Sequence, residues 1–436
     1  MTHTHRRRAP LVLALAAVAT SGVLAGCRTA EPRRAAPVAP DSAAVLRDIA
    51  YLASDRLEGR GTGTPGNDSA AAYLARRYAA LGLNPPAGGS FLQPFTAHSM
   101  AMAHAGRREG VRAQNVVALL PGTDPALRAQ YVVVGAHFDH LGRSSESAQD
   151  PEARDAIRNG ADDNASGTAA VLELARLLER RPVKRSVLFV NFGAEELGLL
   201  GSQHFVDHTP VPLDSVQAML NFDMVGRLAN DKLLVYGVAT SPELPEVVRR
   251  ANEGGPKLAV TAIGDGFGPS DHSSFYAKNV PVLHFFTDLH EDYHRATDDV
   301  ERINAGGEAR VIALAEQIVR DLGDRPARLP FERSAAPATT MGPRQGSNVY
   351  FGSVPDMSAT DIAGLRVSGV RPGSPADRAG LVGGDVIVEF DGTPVKDLYE
   401  YSDALYSKRP GDVVTVVVLR KGERVTLKAT LGERGQ

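Results

Sequence analysis

Four short apolar runs rich in β-branched residues constrain the fold of this chain more than any other feature of its sequence. They occupy residues 131–136, 186–192, 217–222 and 280–286. Runs of this length without polar alternation are typical of strands buried on both faces of a parallel sheet. Between the first two runs, residues 169–178 have apolar side chains at helical spacing, with Ser166 and Thr168 as cap residues before them. The sequence therefore predicts an α/β fold, with a mixed, mainly parallel sheet flanked by helices.

Residue types that bind divalent cations occur at the ends of these runs and in the segments between and after them. The set comprises two histidines, three carboxylates and one further glutamate: His137, His294, Asp163, Glu196, Asp223 and Glu195. Taken singly, each would be an ordinary strand end or helix cap. Ligands of open α/β sheets bind outside the carboxyl ends of the strands, so these side chains are expected to meet at one edge. Two histidines and three carboxylates suit two zinc ions that share one carboxylate and each keep an open position.

The segments around these donors resemble a known family. Four of them are similar, in order and approximate spacing, to the dizinc aminopeptidases that include aminopeptidase Y and the glutaminyl cyclases: 137–142, 159–168, 195–198 and 200–202. The resemblance implies a zinc exopeptidase-like fold in which Asp163 bridges two zinc ions. His137 and Asp223 would then complete one metal site. Glu196 and His294 would complete the other.

The same resemblance implies roles for residues beside the metals. Glu195 would bind no metal and would act as the general base that passes a proton to the leaving amine. Asp139 would accept the free ring N–H of His137 and so fix its tautomer. The family also has a cis peptide bond after the bridging aspartate, which here joins Asp163 to Asn164.

The remaining histidines are interpreted separately. Asp271 and His272 lie in a segment, 270–275, that is similar to one lining the family's substrate site, so both are expected to contact the substrate. A catalytic relay of Ser270, Asp271 and His272 is disfavoured, because three consecutive side chains cannot form it. The other histidines of the catalytic region are expected only to pack: His140, His204, His208, His284 and His290.

The N-terminus predicts export and a membrane anchor. A basic stretch at 5–8 and an apolar stretch at 11–19 are typical of a signal peptide, here residues 1–27. Cys27 is the only cysteine and follows Leu-Ala-Gly, which resembles the bacterial lipobox and implies a lipid anchor in the membrane. A secreted protein without lipid is the alternative. The chain is thus expected in the bacterial cell envelope, either periplasmic or at the cell surface.

The composition divides the remaining chain into a tether and two modules. Residues 28–42 are rich in Arg, Pro and Ala and are expected to form a flexible tether. Residues 43–322 would form the zinc metallopeptidase domain. Residues 323–347, again rich in Pro, Arg and Ala, would form a linker to a second module at 348–433.

The second module resembles a small, β-rich bacterial PDZ domain. The resemblance rests on the segments at 373–381, 383–392 and 413–420. It implies that a loop presents backbone N–H groups to the C-terminal carboxylate of a bound peptide. That carboxylate loop comprises Tyr350, Phe351, Gly352 and Ser353. A helix at 398–406 would form the other wall of the groove. The alternative is an inert appendage whose groove is blocked.

These features favour one function over two others. The favoured function is a membrane-anchored zinc aminopeptidase that removes N-terminal residues from peptide substrates, with the PDZ domain docking a peptide or partner. The first alternative is a glutaminyl cyclase-like aminoacyltransferase, a class that uses a single zinc, whereas His137 and Asp223 keep a second site available. The second is a noncatalytic lipoprotein scaffold, which the presence of Glu195 disfavours. A net charge of −3 gives no indication of nucleic acid binding.

Overall fold

A computed structural model gives the structure of the chain. It describes residues 1–3, 38–86, 89–98, 110–144, 148–150, 152–334, 349–356, 362–396, 400–401, 404–405 and 407–433. Cys27, residues 28–37 of the predicted tether and residues 335–347 of the predicted linker lie outside the described residues. Pro37–Gln436 forms one compact unit. In the described part of the chain, no helix has the length and apolar character needed to span a bilayer.

The first domain is built on an eight-stranded sheet. Its strands are β1 (Leu92–Ala97), β2 (Val111–Leu120), β3 (Tyr131–His137), β4 (Ser186–Phe192), β5 (Val216–Phe222), β6 (Lys232–Tyr236), β7 (Ala259–Ala262) and β8 (Val282–Phe286). Their order across the sheet is β1-β2-β4-β3-β5-β8-β6-β7. The central strands β4, β3, β5 and β8 are parallel to one another, while β2 and β6 run antiparallel beside them. The carboxyl ends of the four central strands therefore share one edge.

The four predicted apolar runs are these four central strands. Every residue of β4 and β5 is buried, which explains why neither run alternates with polar residues. The last run begins its strand at Val282, after Pro281, which cannot donate a hydrogen bond to a neighbouring strand. The predicted mixed, mainly parallel α/β fold is confirmed.

Helices cover both faces of the sheet. They are α1 (Ser42–Leu52), α2 (Pro65–Ala80), α3 (Gly167–Arg180), α4 (Leu200–Asp207), α5 (Leu244–Glu253), α6 (His272–Ala277) and α7 (Ala305–Asp324). Alternate residues of β3 point to opposite faces, so Val132 joins the apolar cluster beneath α1, α3 and α7. Val133 joins the opposite cluster, which includes Phe205 of α4 and Phe275 of α6. Both faces of the central strands are thereby excluded from water.

Short helical turns connect the strands and helices of the first domain. The 3₁₀ turns are Asp55–Arg60, Leu213–Ser215, Val238–Thr240 and Val300–Arg302, and a π-type turn spans Ala161–Ser166. The π-type turn leads directly into α3. Ser166 occupies the N-cap position of α3, as expected, but its side chain makes no capping bond there. Asn164 Oδ1 instead accepts from the backbone N–H of Gly167 at 2.9 Å.

The second domain is a small β-rich fold, as predicted. It contains β9 (Val349–Tyr350), β10 (Ser353–Pro355), β11 (Leu365–Val370), α8 (Pro375–Arg378), β12 (Val386–Phe390), β13 (Thr393–Pro394), β14 (Val413–Arg420), β15 (Glu423–Thr430) and β16 (Gly432–Glu433). The main sheet has the order β10-β11-β12-β14-β15, and β16 pairs with β9. Phe390 packs edge to face against both Phe351 and Tyr401 in the core. In the predicted groove helix, the described residues 400–401 and 404–405 are helical.

Candidate metal centre

The five predicted metal ligands and Glu195 gather at the carboxyl edge of the sheet. His137 is the last residue of β3, and Asp223 directly follows β5. Glu195 and Glu196 lie in the loop after β4. His294 lies in the loop after β8, and Asp163 lies in the π-type turn before α3. Topology alone brings these segments together, since parallel neighbours end at the same edge.

Asp163 lies between the two imidazoles. Its Oδ1 is 3.4 Å from Nε2 of His137, and its Oδ2 is 3.2 Å from Nε2 of His294. Asp223 Oδ1 is 3.4 Å from the same His137 nitrogen, and Glu196 Oε2 is 3.4 Å from the same His294 nitrogen. We call His137, Asp163 and Asp223 the first donor set. The second donor set is Asp163, Glu196 and His294.

The donor atoms fit a metal by their chemistry and spacing. In the described residues, two groups offer ligand atoms that all lie within 4.8 Å of one another: His137 with Glu195 and Asp223, and His137 with Asp163 and Glu196. Imidazole nitrogens combined with carboxylate oxygens form the typical ligand mixture of catalytic zinc sites. Glu195 therefore lies close enough to the first donor set to act on a group bound there.

The cluster is an environment that attracts positive charge. Burial would lower the pKa of the His137 imidazole, but Glu195 and Asp223 outweigh burial and raise that pKa well above its ordinary value. At His294, burial is likewise outweighed, and hydrogen bonds to Asp163 and Glu196 raise the pKa to about 11. These shifts reflect several buried carboxylates around two imidazoles, which is the field that a divalent cation would enter.

The turn that carries Asp163 is fixed from two sides. The peptide bond between Asp163 and Asn164 is cis, as the family resemblance implies. The side chain of Asn164 donates to the carbonyl oxygen of Phe222 at 2.9 Å and accepts from the N–H of Met224 at 3.3 Å. Asp298 Oδ2 accepts from the backbone N–H of Asp163 at 3.0 Å. These bonds fix the position of Asp163 relative to the end of β5, which Asp223 directly follows.

The contact between Asp139 and His137 differs from the prediction. His137 Nδ1 lies 3.1 Å from the backbone carbonyl oxygen of Asp139, whereas the nearer carboxylate oxygen is 3.9 Å away. The carboxylate instead accepts from the backbone N–H groups of Glu195 at 3.0 Å and Glu196 at 3.4 Å, and from the hydroxyl of Thr62. Because the chain turns back after β3, Asp139 holds the imidazole with its backbone and the glutamate loop with its side chain.

The predicted packing role of His140 is wrong. His140 is buried, and its Nδ1 lies 2.8 Å from Glu196 Oε1 and 3.8 Å from Asp163 Oδ2. Its ring also meets that of His294 edge to face at 5.7 Å. His140 therefore contacts the second donor set. The signal in the sequence is its position three residues after His137, in the same loop at the carboxyl edge.

Arg60 is a further residue that the sequence does not reveal. Its buried guanidinium donates to the carbonyl oxygens of Leu52, Phe138, Asn159 and Gly160 at distances of 2.6 to 2.9 Å. Burial is the main cause that lowers the pKa of Arg60 to about 10, and Asp163 opposes this shift. The side chain thus joins the loop after β3 to the segment that leads into Asp163.

Asp271 and His272 both lie near the cluster, in different surroundings. Asp271 is buried, and neither of its carboxylate oxygens meets a donor in good hydrogen-bonding geometry. Burial raises its pKa to about 7, and this rise is opposed by His137 and by the nearby Ser202 hydroxyl. His272 stacks on His284 with a centroid distance of 4.3 Å, and burial lowers its pKa well below the ordinary value. Both side chains therefore keep buried polar atoms without a hydrogen-bond partner, and the His272 ring is in addition held by its stacking on His284.

The predicted carboxylate loop runs from Tyr350, the last residue of β9, to Ser353, the first residue of β10. Gly352 has a φ of +94°, and a Cβ there would lie 2.3 Å from Cβ of Ser374, so only glycine fits. Its carbonyl oxygen accepts from the N–H of Arg371 at 2.9 Å. The Ser353 hydroxyl lies 2.6 Å from the Tyr401 hydroxyl, which links the loop to the helical wall of the predicted groove.

Comparison with known proteins agrees with this architecture. Residues 115–319 match the model of Peptidase family M28, and residues 342–431 match the model of the PDZ domain. The chain is 32% identical over 153 residues to Aminopeptidase YwaD of Bacillus subtilis, covering 33% of this chain and 34% of that protein. It is 29% identical over 256 residues to the Mycobacterium tuberculosis protein named Probable lipoprotein aminopeptidase LpqL, covering 49% of this chain and 47% of that protein. The matches thus span between a third and a half of each relative.

A solved structure supports the same fold. The structure of BSAP, a zinc aminopeptidase from Bacillus subtilis, aligns with a TM-score of 0.52 at 20% identity. The alignment covers 66% of this chain and 97% of that one. The chain therefore contains a domain of peptidase family M28 followed by a PDZ domain.

Proposed function

We propose that this chain is a membrane-anchored, zinc-dependent aminopeptidase that removes N-terminal residues from peptides with the help of two metal ions. One observation carries the proposal: the two carboxylate oxygens of Asp163 face two different buried imidazoles, those of His137 and His294, at 3.4 and 3.2 Å. A carboxylate between two nitrogen donors is suited to bridging two cations. The names of the two relatives support an aminopeptidase activity.

The two donor sets would hold one zinc ion each. His137 and Asp223 would bind the first ion, Glu196 and His294 the second, and Asp163 both. When bound, such a pair of ions supplies Lewis acidity that polarises a peptide carbonyl and lowers the pKa of a water molecule. Asp139, His140 and Arg60 would keep these ligands in place through the contacts described above.

Glu195 is the residue that would move the proton. Its backbone N–H donates to Asp139 Oδ1 at 3.0 Å, and its Oε2 lies 4.0 Å from Nε2 of His137. Burial is the main cause that raises the pKa of the Glu195 carboxyl well above its ordinary value, and Glu196 and Asp271 add to it. A carboxyl group with a raised pKa can take a proton from water near neutral pH and release it to the leaving amine.

Asp271 would recognise the free amino terminus of the substrate. Among the described residues, only the Ser202 hydroxyl lies near enough to act on its carboxylate, and no donor meets either oxygen in good hydrogen-bonding geometry, although the side chain is buried. It also lies close enough to Glu195 to raise the pKa of that carboxyl. An ammonium group of the substrate would supply the missing donors, which accounts for a preference for N-terminal residues.

The anchor and the PDZ groove complete the proposal. A lipid on Cys27 would hold the chain at a membrane of the cell envelope, consistent with the name of the Mycobacterium tuberculosis relative. The loop formed by Tyr350, Phe351, Gly352 and Ser353 would bind the C-terminal carboxylate of a peptide. The bond between Ser353 and Tyr401 would have to open or shift when a peptide enters the groove.

Hydrolysis of aminoacyl chromogenic amides tests the catalytic part of the proposal. The full chain should hydrolyse amides with a free amino group, should not hydrolyse their N-acetylated counterparts, and should lose activity with a chelator and regain it with zinc. Glu195→Gln should keep its zinc and lose activity by roughly 10²- to 10⁴-fold. Glu301→Gln, an exposed glutamate, is the matched control.

Two outcomes would favour other functions, and a third would change the proposed mechanism. Cyclisation of N-terminal glutaminyl peptides without amide hydrolysis would indicate an aminoacyltransferase. Zinc binding with neither reaction would indicate a noncatalytic scaffold. Full activity in Glu195→Gln would remove Glu195 from the role of general base.

A further inference from the structure

One loop joins the PDZ domain to the candidate metal centre. It comprises residues 265–274, which lie between β7 and β8 and include the first residues of α6. We call it the bridging loop. Its first residues contact the PDZ domain, and its last residues contact the carboxyl edge of the sheet.

The PDZ domain holds the first part of the bridging loop. The guanidinium of Arg371 forms an ion pair with the buried carboxylate of Asp265 and lies 5.9 Å from the ring centroid of Phe267. Gly369 lies flat against the same ring, because a Cβ on Gly369 would approach Cζ of Phe267 to 2.6 Å. Val354 also packs against the apolar cluster that contains Phe267. Charge, ring stacking and close backbone approach therefore act at one place.

The sheet edge holds the last part of the bridging loop. Asn221, two residues before Asp223, donates to the Ser270 hydroxyl at 2.7 Å. The hydroxyls of Ser274 and Ser202 lie 2.9 Å apart. Asp271 stands between these two contacts, so its position depends on them and on the conformation of the preceding residues.

Internal hydrogen bonds link the first residues of the bridging loop to its last residues. Asp265 Oδ1 accepts from the N–H of Phe267 at 3.0 Å. The Ser273 hydroxyl accepts from the N–H of Gly268 at 2.8 Å and also bonds to the carbonyl oxygen of the same residue. A displacement at Phe267 would therefore be passed on to Asp271 and its neighbours.

We infer that the PDZ domain is a working part of the peptidase site, with Arg371 and Gly369 holding the bridging loop so that Asp271 stays at the carboxyl edge of the sheet, next to the contact between Ser270 and Asn221. Arg371 is then a positioning residue that lies outside the M28 domain. It is also bonded to the carboxylate loop, since its backbone N–H donates to the carbonyl oxygen of Gly352 at 2.9 Å. The inference rests on the proposed function and gives the PDZ domain a role separate from binding a peptide.

Two variants of the full chain test this inference. Arg371→Ala removes the ion pair and the stacked guanidinium, and Gly369→Val places a side chain against the Phe267 ring. Arg366→Ala is the matched control, because Arg366 lies on β11 with Gly369, and its guanidinium faces Asp356 within the PDZ domain at 3.9 Å. Hydrogen–deuterium exchange over residues 264–275, zinc content and kcat/KM for an aminoacyl amide are measured for each protein.

Both variants should exchange faster over residues 264–275, keep their zinc and lose roughly 10-fold in kcat/KM, as expected for a small displacement of a substrate contact. Arg366→Ala should match the wild type in all three measurements. Unchanged exchange in both variants would overturn the inference, and so would faster exchange with unchanged kcat/KM. If the wild type hydrolysed no aminoacyl amide, the proposed function would fail, while the exchange data would still decide whether the PDZ domain holds the loop.

Discussion

Replacing His140 by alanine isolates one contact of the second donor set. Its Nδ1 donates to Glu196 Oε1 at 2.8 Å inside the protein, and a hydrogen bond to a charged group contributes about 1.5–3 kcal/mol. Since about 1.4 kcal/mol corresponds to a factor of ten, losing this bond should weaken zinc binding by roughly 10- to 100-fold. That range agrees with the effect of removing residues that orient metal ligands. The first donor set should lose much less zinc affinity, because His140 does not contact His137 or Asp223 and approaches the shared ligand Asp163 only to 3.8 Å.

Titration with zinc in competition with a chromophoric chelator measures both affinities. The wild type should show two tight sites, and His140→Ala should show one tight and one weakened site. His140→Asn should recover most of the lost affinity, because its amide nitrogen can take the place of ring Nδ1. His204→Ala, which removes a ring stacked on Phe95, is the control. Equal weakening of both sites, or two unweakened sites in His140→Ala, would refute the orienting role of His140.

Two further predictions concern buried charges. Arg60→Ala should lower the free energy of unfolding by at least about 3 kcal/mol, because four buried carbonyl oxygens lose a charged donor. Chemical denaturation measures this change, and Arg56→Ala, at an exposed position, is the control. A loss of stability equal to that of the control would count against the prediction. Burial raises the pKa of Glu308 well above its ordinary value, so the folded chain keeps a proton that the unfolded chain releases, and stability falls as the pH rises above about 4.3. Glu308→Gln should therefore raise Tm more at pH 8 than at pH 4, and a larger gain at pH 4 would contradict the assignment.

The central strands could be predicted because burial on both faces leaves a direct mark in the sequence. In β4 all seven residues are buried, so the run contains few polar residues and is easily recognised. The edge strands carry no such mark. In β7 three of the four residues are exposed and the fourth is half-buried, so its pattern does not distinguish a strand from a loop. Position in the sheet, rather than strand propensity, decided which strands were recognisable.

The gathering of the donors was also predictable, whereas the contacts that orient them were not. His137 and Asp223 end parallel neighbouring strands, so their proximity follows from topology. Arg60, whose backbone φ is +52°, donates a hydrogen bond to the carbonyl oxygen of Asn159, which is 99 residues away in the sequence. Neither the spacing of residues nor the periodicity of apolar side chains in the sequence predicts such a contact. The orientation of His140 toward Glu196 depends on the same folded loops.

The proposed dinuclear site depends on Asp163 as a carboxylate shared by two cations. The most direct measurement is an anomalous difference map, recorded at the zinc absorption edge from crystals of the zinc-loaded chain. It should contain two peaks roughly 3.5–4 Å apart, one beside His137 and one beside His294, with an oxygen of Asp163 on each. A single peak, or two peaks of which one has no contact with Asp163, would contradict the account.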